Sequence, residues 1–192
     1  MVMTSDGSVA FRREPLIPSA VLGTLMFVFS EMMMFSGLIS AVTIARASAP
    51  VWPPVADVPL PVAVTAFNTA VLLSSGLLLF FGARAYRTDR PTASRLLLMS
   101  MLTGAFFVCF QGYEWIQLLR QGLTLRSSLN GGFFYLIVGA HALHAVAGLS
   151  VLSVVYVHVR QARLRADFLA ATQVFWYFVV ALWPFLYVRV YL

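Results

Sequence analysis

Five long apolar segments, separated by short linkers, dominate the pattern of the sequence. An apolar helix needs about 20 residues to cross the hydrocarbon core of a bilayer, and every segment is long enough. The sequence therefore predicts an all-α, polytopic membrane protein, with a polar N-terminal tail over residues 1–15 and a single transmembrane domain over residues 16–192. The predicted spans are residues 17–45, 62–83, 96–119, 131–159 and 168–188.

The basic residues predict how these spans are oriented. The N-terminal tail and the second and fourth loops carry Arg12, Arg13, Arg84, Arg87, Arg90, Arg95, Arg160, Arg163 and Arg165. The opposite side carries only Arg46, Arg120, Arg126 and Arg189. Because loops rich in Lys and Arg stay on the cytoplasmic side, we expect a cytoplasmic N-terminus and a periplasmic C-terminus.

Composition excludes several classes of protein. The chain is 60% hydrophobic and 10% charged, whereas soluble domains are about 45–50% apolar and 25% charged. Its net charge of +6 does not indicate nucleic-acid binding, because the arginines lie between apolar spans. The single cysteine, Cys109, lies inside a span, which excludes a disulfide framework within the chain and a cysteine-based metal site.

Two acidic residues lie within the spans, where a charged side chain costs about 2.5–3.5 kcal/mol on the insertion scale. Glu31 is near the middle of the first span, and two interpretations stay open: a neutral, hydrogen-bonded acid between helices, or a proton relay. Glu114 is nearer the outer end of the third span, in a polar stripe with Gln111 and Gln117. That stripe either seals one helix against another or faces a lipid headgroup or a water pocket.

Small residues follow Glu31 in the first span, namely Ser36, Gly37, Ser40 and Ala41. At this spacing the backbone of a second helix can come close. The pattern predicts tight helix packing on that face.

The paired histidines of the fourth span, His141 and His144, share one helix face with Ala145 and Gly148. This is typical of a face that packs on another helix, and at its depth Glu31 is predicted to meet one of the two histidines. A haem between helices needs ligands from two facing elements, and a di-iron site needs glutamates from several helices with Glu-x-x-His motifs. We therefore predict that this chain has no catalytic, cofactor-binding or metal-binding residues.

Read in order, these segments resemble subunit III of the haem–copper oxidases, cytochrome c oxidase above all. The resemblance covers the chain from Leu22 onward and places the family's two acids on Glu31 and Glu114 and its paired histidines on His141 and His144. It is carried by LGTLMFVFSEMMMFSG, the WPP that begins at Trp52, FNTAVLLSSG with Asn68, FQGYEW, FFYLIVGAHALHAVAGL and FWYFVVALWPFLYVRVYL. In the last string Tyr177 and Val180 stand where many members have a histidine and an aspartate, so no polar role carries over there.

The resemblance implies a short, five-span bacterial form of this subunit in the cytoplasmic membrane. Such a subunit is non-catalytic, packs against oxidase subunit I beside subunit II, supports proton uptake and durability, and binds phospholipid. Haem and copper are then expected in the partner subunits. Candidates for packing or proton support are Glu31, Glu114, His141, His144, Gln111 and Asn68, and candidates for lipid or interface contacts are Trp52, Trp115 and Arg120.

Two other functions remain open on the sequence. The accessory membrane protein of nitric oxide reductases is related to subunit III and shares its central glutamate. A stand-alone transporter, channel or membrane enzyme with Glu31 as its proton site is the alternative from another class.

Overall fold

The computed structural model describes residues 2–3, 9–10, 17–51 and 60–191, and its described residues form five long helices. All five are long and apolar enough to cross a membrane, which confirms the predicted all-α, multi-pass fold. Two two-residue strands, β1 (Val2–Met3) and β2 (Val9–Ala10), pair antiparallel in the N-terminal tail. The helices are α1 (Ser19–Ser48), α2 (Val62–Ala85), α3 (Arg90–Arg120), α4 (Leu129–Arg160) and α5 (Ala166–Val190).

Helix α3 begins at Arg90, earlier than the apolar pattern indicates, because Asp89 caps it. The Asp89 carboxylate accepts a hydrogen bond from the backbone N–H of Thr92 at 3.2 Å and another from the Thr92 hydroxyl. Pro91 follows in the first turn, where its missing N–H costs nothing. These hydrogen bonds lower the pKa of the Asp89 carboxyl below its ordinary value. The apolar pattern placed the start at residue 96 because it does not register a polar first turn.

The helices are packed to different extents. Helices α2 and α3 form the most extensive pair, and α5 packs against α1, α2 and α4. Helix α1 contacts only α4 and α5 among the described elements, and its buried residues are Phe35 and Ile39. Helix α1 is therefore the least enclosed of the five.

Trp176 of α5 joins four helices at the centre of the bundle. Its indole Nε1 donates a hydrogen bond to the hydroxyl of Ser75 in α2 at 3.1 Å. Its ring lies against Gly104 of α3 and Gly148 of α4, so closely that a Cβ atom on either glycine would stand 2.8 Å or 2.7 Å from a ring carbon. Trp176 is fully buried, so both glycines are needed to make room for the indole.

Two further hydrogen bonds hold α5 on α2. Trp183 Nε1 donates to the Thr69 hydroxyl at 2.9 Å, and the Tyr187 hydroxyl donates to the carbonyl of Val62 at 3.1 Å. Lipid chains are as apolar as the outer surface of a membrane helix, so the hydrophobic effect does not drive two such helices together. Hydrogen bonds of this kind and close packing drive their association instead.

The small residues of α1 do not form the close helix contact that their spacing predicts. A Cβ atom placed on Gly37 meets no atom within 4 Å, and Ser36, Ser40 and Ala41 are also exposed. Among the described residues no helix of this chain packs closely on them, because α1 turns Phe35 and Ile39 inward. A close contact with a helix of another chain stays a prediction. Among the glycines that face another helix, those with the closest contacts are instead Gly104 of α3 and Gly148 of α4, both against Trp176.

Replacing Gly104 by Ala is expected to destabilise the bundle by about 1–3 kcal/mol, the usual cost of overpacking. The added methyl group would lie 2.8 Å from Trp176 Cζ2, so the ring or α3 must shift. Thermal unfolding of the purified protein in detergent measures the loss as a lower Tm.

Gly112→Ala in the same helix is the matched control, because nothing lies within 4 Å of its Cβ position. It should unfold at the wild-type temperature or above, since Ala favours helix over Gly by about 1 kcal/mol. Equal melting temperatures for the two variants would contradict the close packing of the Trp176 ring against Gly104.

Candidate functional site

Glu31 of α1 meets His144 of α4 in the interior of the bundle. Glu31 Oε2 lies 3.1 Å from His144 Nε2, within ion-pair distance, although this oxygen makes no hydrogen bond of regular geometry. The exposed fractions of the two side chains are 17% and 11%. The prediction that Glu31 meets one of the paired histidines is confirmed, and the histidine is His144.

The other ring nitrogen of His144 determines which protons this pair can hold. His144 Nδ1 lies 2.7 Å from the carbonyl oxygen of Ala140, and because a carbonyl only accepts, Nδ1 carries a hydrogen. In neutral His144, Nε2 is then an acceptor and Glu31 must be the donor. In the charged form, an imidazolium faces a carboxylate. In both forms one proton is carried by either Glu31 or His144 Nε2, and the pair has no net charge.

Aromatic rings surround this pair. The rings of Phe27, Phe35, Phe175 and Phe178 have centroids 5.6–6.3 Å from that of His144. They come from α1 and α5, so the histidine lies where three helices meet. An apolar enclosure of this kind favours the uncharged form of the pair over separated ions.

His141 lies one turn away and makes no contact with an acid. It is 1% exposed, and its ring is tilted over the indole of Trp183 with centroids 4.8 Å apart. Neither ring nitrogen has a hydrogen-bond partner among the described residues. The two histidines therefore play different parts: His144 contacts α1, whereas His141 packs on α5.

Glu114 is the centre of a second polar cluster, between α2, α3 and the end of α5. Its Oε2 lies 3.2 Å from the Thr65 hydroxyl and accepts a hydrogen bond from Gln111 Nε2 at 3.1 Å. Glu114 and Gln111 are both buried. Asn68 of α2 donates to Gln111 Oε1 at 3.3 Å and to the carbonyl of Phe107 at 3.2 Å.

The hydroxyl of Thr65 indicates that Glu114 is neutral. This hydroxyl donates to the carbonyl of Pro61 at 2.9 Å, and one hydroxyl has one hydrogen to donate. When the Thr65 hydroxyl donates its hydrogen to Pro61, its contact with Glu114 needs a hydrogen from the acid. A protonated Glu114 carries that hydrogen. No cation pairs with Glu114 among the described residues, which also favours the neutral acid.

The stripe of α3 therefore seals this helix against α2, one of the two interpretations that the sequence left open. Gln111 also donates to the Tyr191 hydroxyl at 3.0 Å, directly after α5. Sequence reasoning missed Thr65 and Tyr191 because a hydroxyl in an apolar segment carries no pattern of its own. The polar stripe opposite them was the available signal that such partners exist.

The three candidates for lipid or interface contacts have different positions. Trp115 is half-buried, with its ring edge-on to Tyr135 at 5.7 Å. Arg120 is exposed in the last turn of α3. Trp52, together with Arg12 and Arg13 from the charge pattern, lies outside the described residues.

The described residues hold no group of three or more His, Cys, Asp or Glu side chains that could bind a metal ion. Glu31 and His144 offer two ligands, and Glu114 lies in a separate cluster with neutral partners. The chemistry that the site offers is hydrogen bonding and the exchange of single protons.

The Glu31–His144 contact predicts energetic coupling between the two positions. In a cycle of Glu31→Ala, His144→Ala and the double variant, we expect a coupling energy of about 0.5–3 kcal/mol, as for residues in direct contact. Each single variant leaves the remaining side chain enclosed without its partner. The free energy of unfolding in detergent is the quantity measured.

The same cycle with His141→Ala in place of His144→Ala is the control, and it should show weaker coupling because Glu31 does not contact His141. Additive effects of Glu31→Ala and His144→Ala would contradict the contact.

Comparison with known proteins identifies the family. The family model for cytochrome c oxidase subunit III matches residues 13–192. A probable cytochrome c oxidase subunit 3 of Nocardia farcinica is 33% identical over 175 residues, covering 88% of this chain and 85% of that protein. One from Mycobacterium leprae is 34% identical, covering 88% and 85%, and the cytochrome c oxidase subunit 3 of Thermostichus vulcanus is 31% identical, covering 90% and 86%. The chain thus belongs to the cytochrome c oxidase subunit III family, as its sequence motifs indicate.

Proposed function

We propose that this protein is the non-catalytic subunit III of a bacterial haem–copper terminal oxidase. It spans the cytoplasmic membrane five times with its N-terminus inside, and it packs against subunit I beside subunit II. The observation that supports this most directly is the free side of α1. Haem and copper belong to the partner subunits in this proposal, and no nucleic acid takes part.

The free side of α1 suits another membrane helix. Met33, Gly37 and Ser40 lie on the side opposite the buried Phe35, and all three are exposed. Small residues let a second helix backbone come close, and methionine side chains adapt to an irregular partner surface. We therefore assign this side of α1 to contact with the catalytic subunit.

Gly37→Trp should lower the amount of haem and copper that copurifies with the tagged chain several-fold, because the indole would hold the partner helix away. Leu77→Trp is the matched control, since Leu77 is 60% exposed on α2, away from this side. Haem absorption bands and metal analysis of the purified complex measure the retained partner.

Equal retention by the two variants would overturn the assignment of the α1 side. Haem b and non-haem iron in the wild-type complex, instead of haem a and copper, would favour the nitric oxide reductase alternative. A stable, active protein without partners would favour the stand-alone transporter.

Within the oxidase, Glu31 and His144 are proposed to support proton uptake and durable turnover. The proton that the pair shares can pass between Glu31 and His144 without creating net charge in the membrane, because the pair is neutral in both of its forms. The pair also connects α1, the least enclosed helix, to the rest of the bundle.

Glu31→Ala is expected to shorten the period of sustained oxygen consumption by the complex while leaving every haem band in place. Oxygen uptake followed over many turnovers, with spectra taken before and after, tests this. Glu31→Gln separates two roles, because Gln can still donate a hydrogen bond to His144 but cannot exchange a proton. Loss of one haem band from a complex that retains its partner subunits would contradict the assignment of Glu31 as a non-ligand, and unchanged turnover in both variants would end the proposal.

Phospholipid binding is proposed at a basic cavity of about 850 Å³ beside the turn between α4 and α5. His158, Arg163 and Arg165 line it, together with Asp167, which pairs with Arg165, and the first residues of α1. It shares Ser19, Ala20 and Phe168 with an apolar groove of about 430 Å³. Basic pockets between membrane helices on the cytoplasmic side suit anionic headgroups.

A further inference from the structure

A cavity of about 110 Å³ is lined by residues of α3, α4 and α5. The polar side chains in its lining are Gln111 and Trp115 of α3 and His141 of α4. The rest of the lining is apolar except for the indole of Trp183, whose N–H is already donated to α2. Through Gln111 the cavity adjoins the polar stripe of α3, and neither residue of the proton-sharing pair described above lines it.

His141 brings two unused hydrogen-bonding groups to this cavity. Its side chain is 1% exposed, and within the described part of the chain neither ring nitrogen has a partner. One nitrogen of a neutral imidazole donates and the other accepts, so both kinds of hydrogen bond are open. Because polar groups enclosed without a partner are costly and rare in folded proteins, His141 needs a partner that can both donate and accept.

Two side chains of α3 on the same cavity also have hydrogen-bonding capacity to spare. The indole Nε1 of Trp115 is buried and has no acceptor among the residues that the structure describes. Gln111 Oε1 accepts a hydrogen bond from Asn68, and a carbonyl oxygen has two lone pairs. The cavity therefore combines an unused donor and an unused lone pair on α3 with both ring nitrogens of His141 on α4.

Water matches both the chemistry and the size of this cavity. A buried water donates and accepts at once, and it makes about three hydrogen bonds to groups that otherwise lack partners, whereas a cavity with only apolar lining stays dry. A water molecule takes up about 30 Å³ in the liquid, so a cavity of about 110 Å³ has room for more than one. We propose that the cavity binds ordered water, which accepts the N–H of Trp115 and hydrogen-bonds to His141 and to Gln111 Oε1.

Bound water gives His141 a part in the bundle beyond its packing on α5. It connects α4 with α3, because Trp115 and Gln111 both belong to α3. It also joins His141 to the Glu114 cluster, since Gln111 Nε2 donates to Glu114 Oε2 at 3.1 Å. All of these polar partners belong to this chain, so the binding of water does not depend on which enzyme complex the chain joins.

X-ray footprinting of the full chain in detergent tests for this water, because radiolysis of a bound water oxidises the side chain beside it. His141 is 1% exposed, so bulk water does not reach it, and peptide mass spectrometry should show its oxidation several-fold above background. Trp176 is the matched control, because it is 0% exposed, lies outside the cavity and donates its N–H to Ser75. It should stay unoxidised, although an indole reacts faster with hydroxyl radicals than an imidazole does.

Filling the cavity should displace the water. Gly112 and Ala142 both line it, so Gly112→Leu and Ala142→Leu should lower the oxidation of His141 several-fold. Gly23→Leu is the control and should leave that oxidation unchanged, because Gly23 lies outside this cavity and has nothing within 4 Å of its Cβ position. The proposal is overturned if His141 is as unreactive as Trp176 in the wild type, or if neither filled variant lowers its oxidation. It is also overturned if filling raises the Tm above that of Gly23→Leu, as filling a dry cavity would.

Discussion

The bundle depends on how closely the helices can approach the indole of Trp176. Lipid chains are as apolar as leucine side chains, so burial alone gives membrane helices little reason to associate. Gly104 and Gly148 let α3 and α4 reach the faces of one rigid ring, while Ser75 accepts its N–H from α2. A larger side chain at either glycine would separate the helices that carry both polar clusters. The geometry around Glu31 and Glu114 is therefore a consequence of packing at a residue that has no polar role at either site.

The buried acids follow a common rule: each has partners that allow it to lose its charge. Glu114 has a hydroxyl and an amide as neighbours, so a protonated acid fits the cluster without a cation. Glu31 has an imidazole, so a proton can lie on either partner while the pair stays neutral. The difference matters for function, because only the second arrangement pairs the acid with a second side chain that can carry the proton. The Glu114 cluster is better suited to holding helices together, and the Glu31 pair is better suited to exchange.

Sequence reasoning succeeds where a property belongs to one helix and fails where it depends on several. The five spans, the inward direction of the histidine face and the pairing of Glu31 with a histidine follow from hydropathy, periodicity and depth. The choice of His144 over His141 depends on the rotation of α1 relative to α4, which no single-segment pattern contains. The small residues around Gly37 are spaced for close helix packing, but the spacing does not say whether the packing helix belongs to this chain.

Helix α1 shows how these constraints combine. One side faces His144 through Glu31, a second forms an apolar groove with α5, and a third, with Met33 and Gly37, is open. A helix with so little burial within its own chain is stabilised by whatever covers its remaining surface. The small residues and Met33 are the part of that surface on which a partner helix could pack most closely. The contact of Glu31 with His144 fixes α1 on α4 from one side only, so the position of this helix depends on the polar pair and on the packing of Phe35 and Ile39.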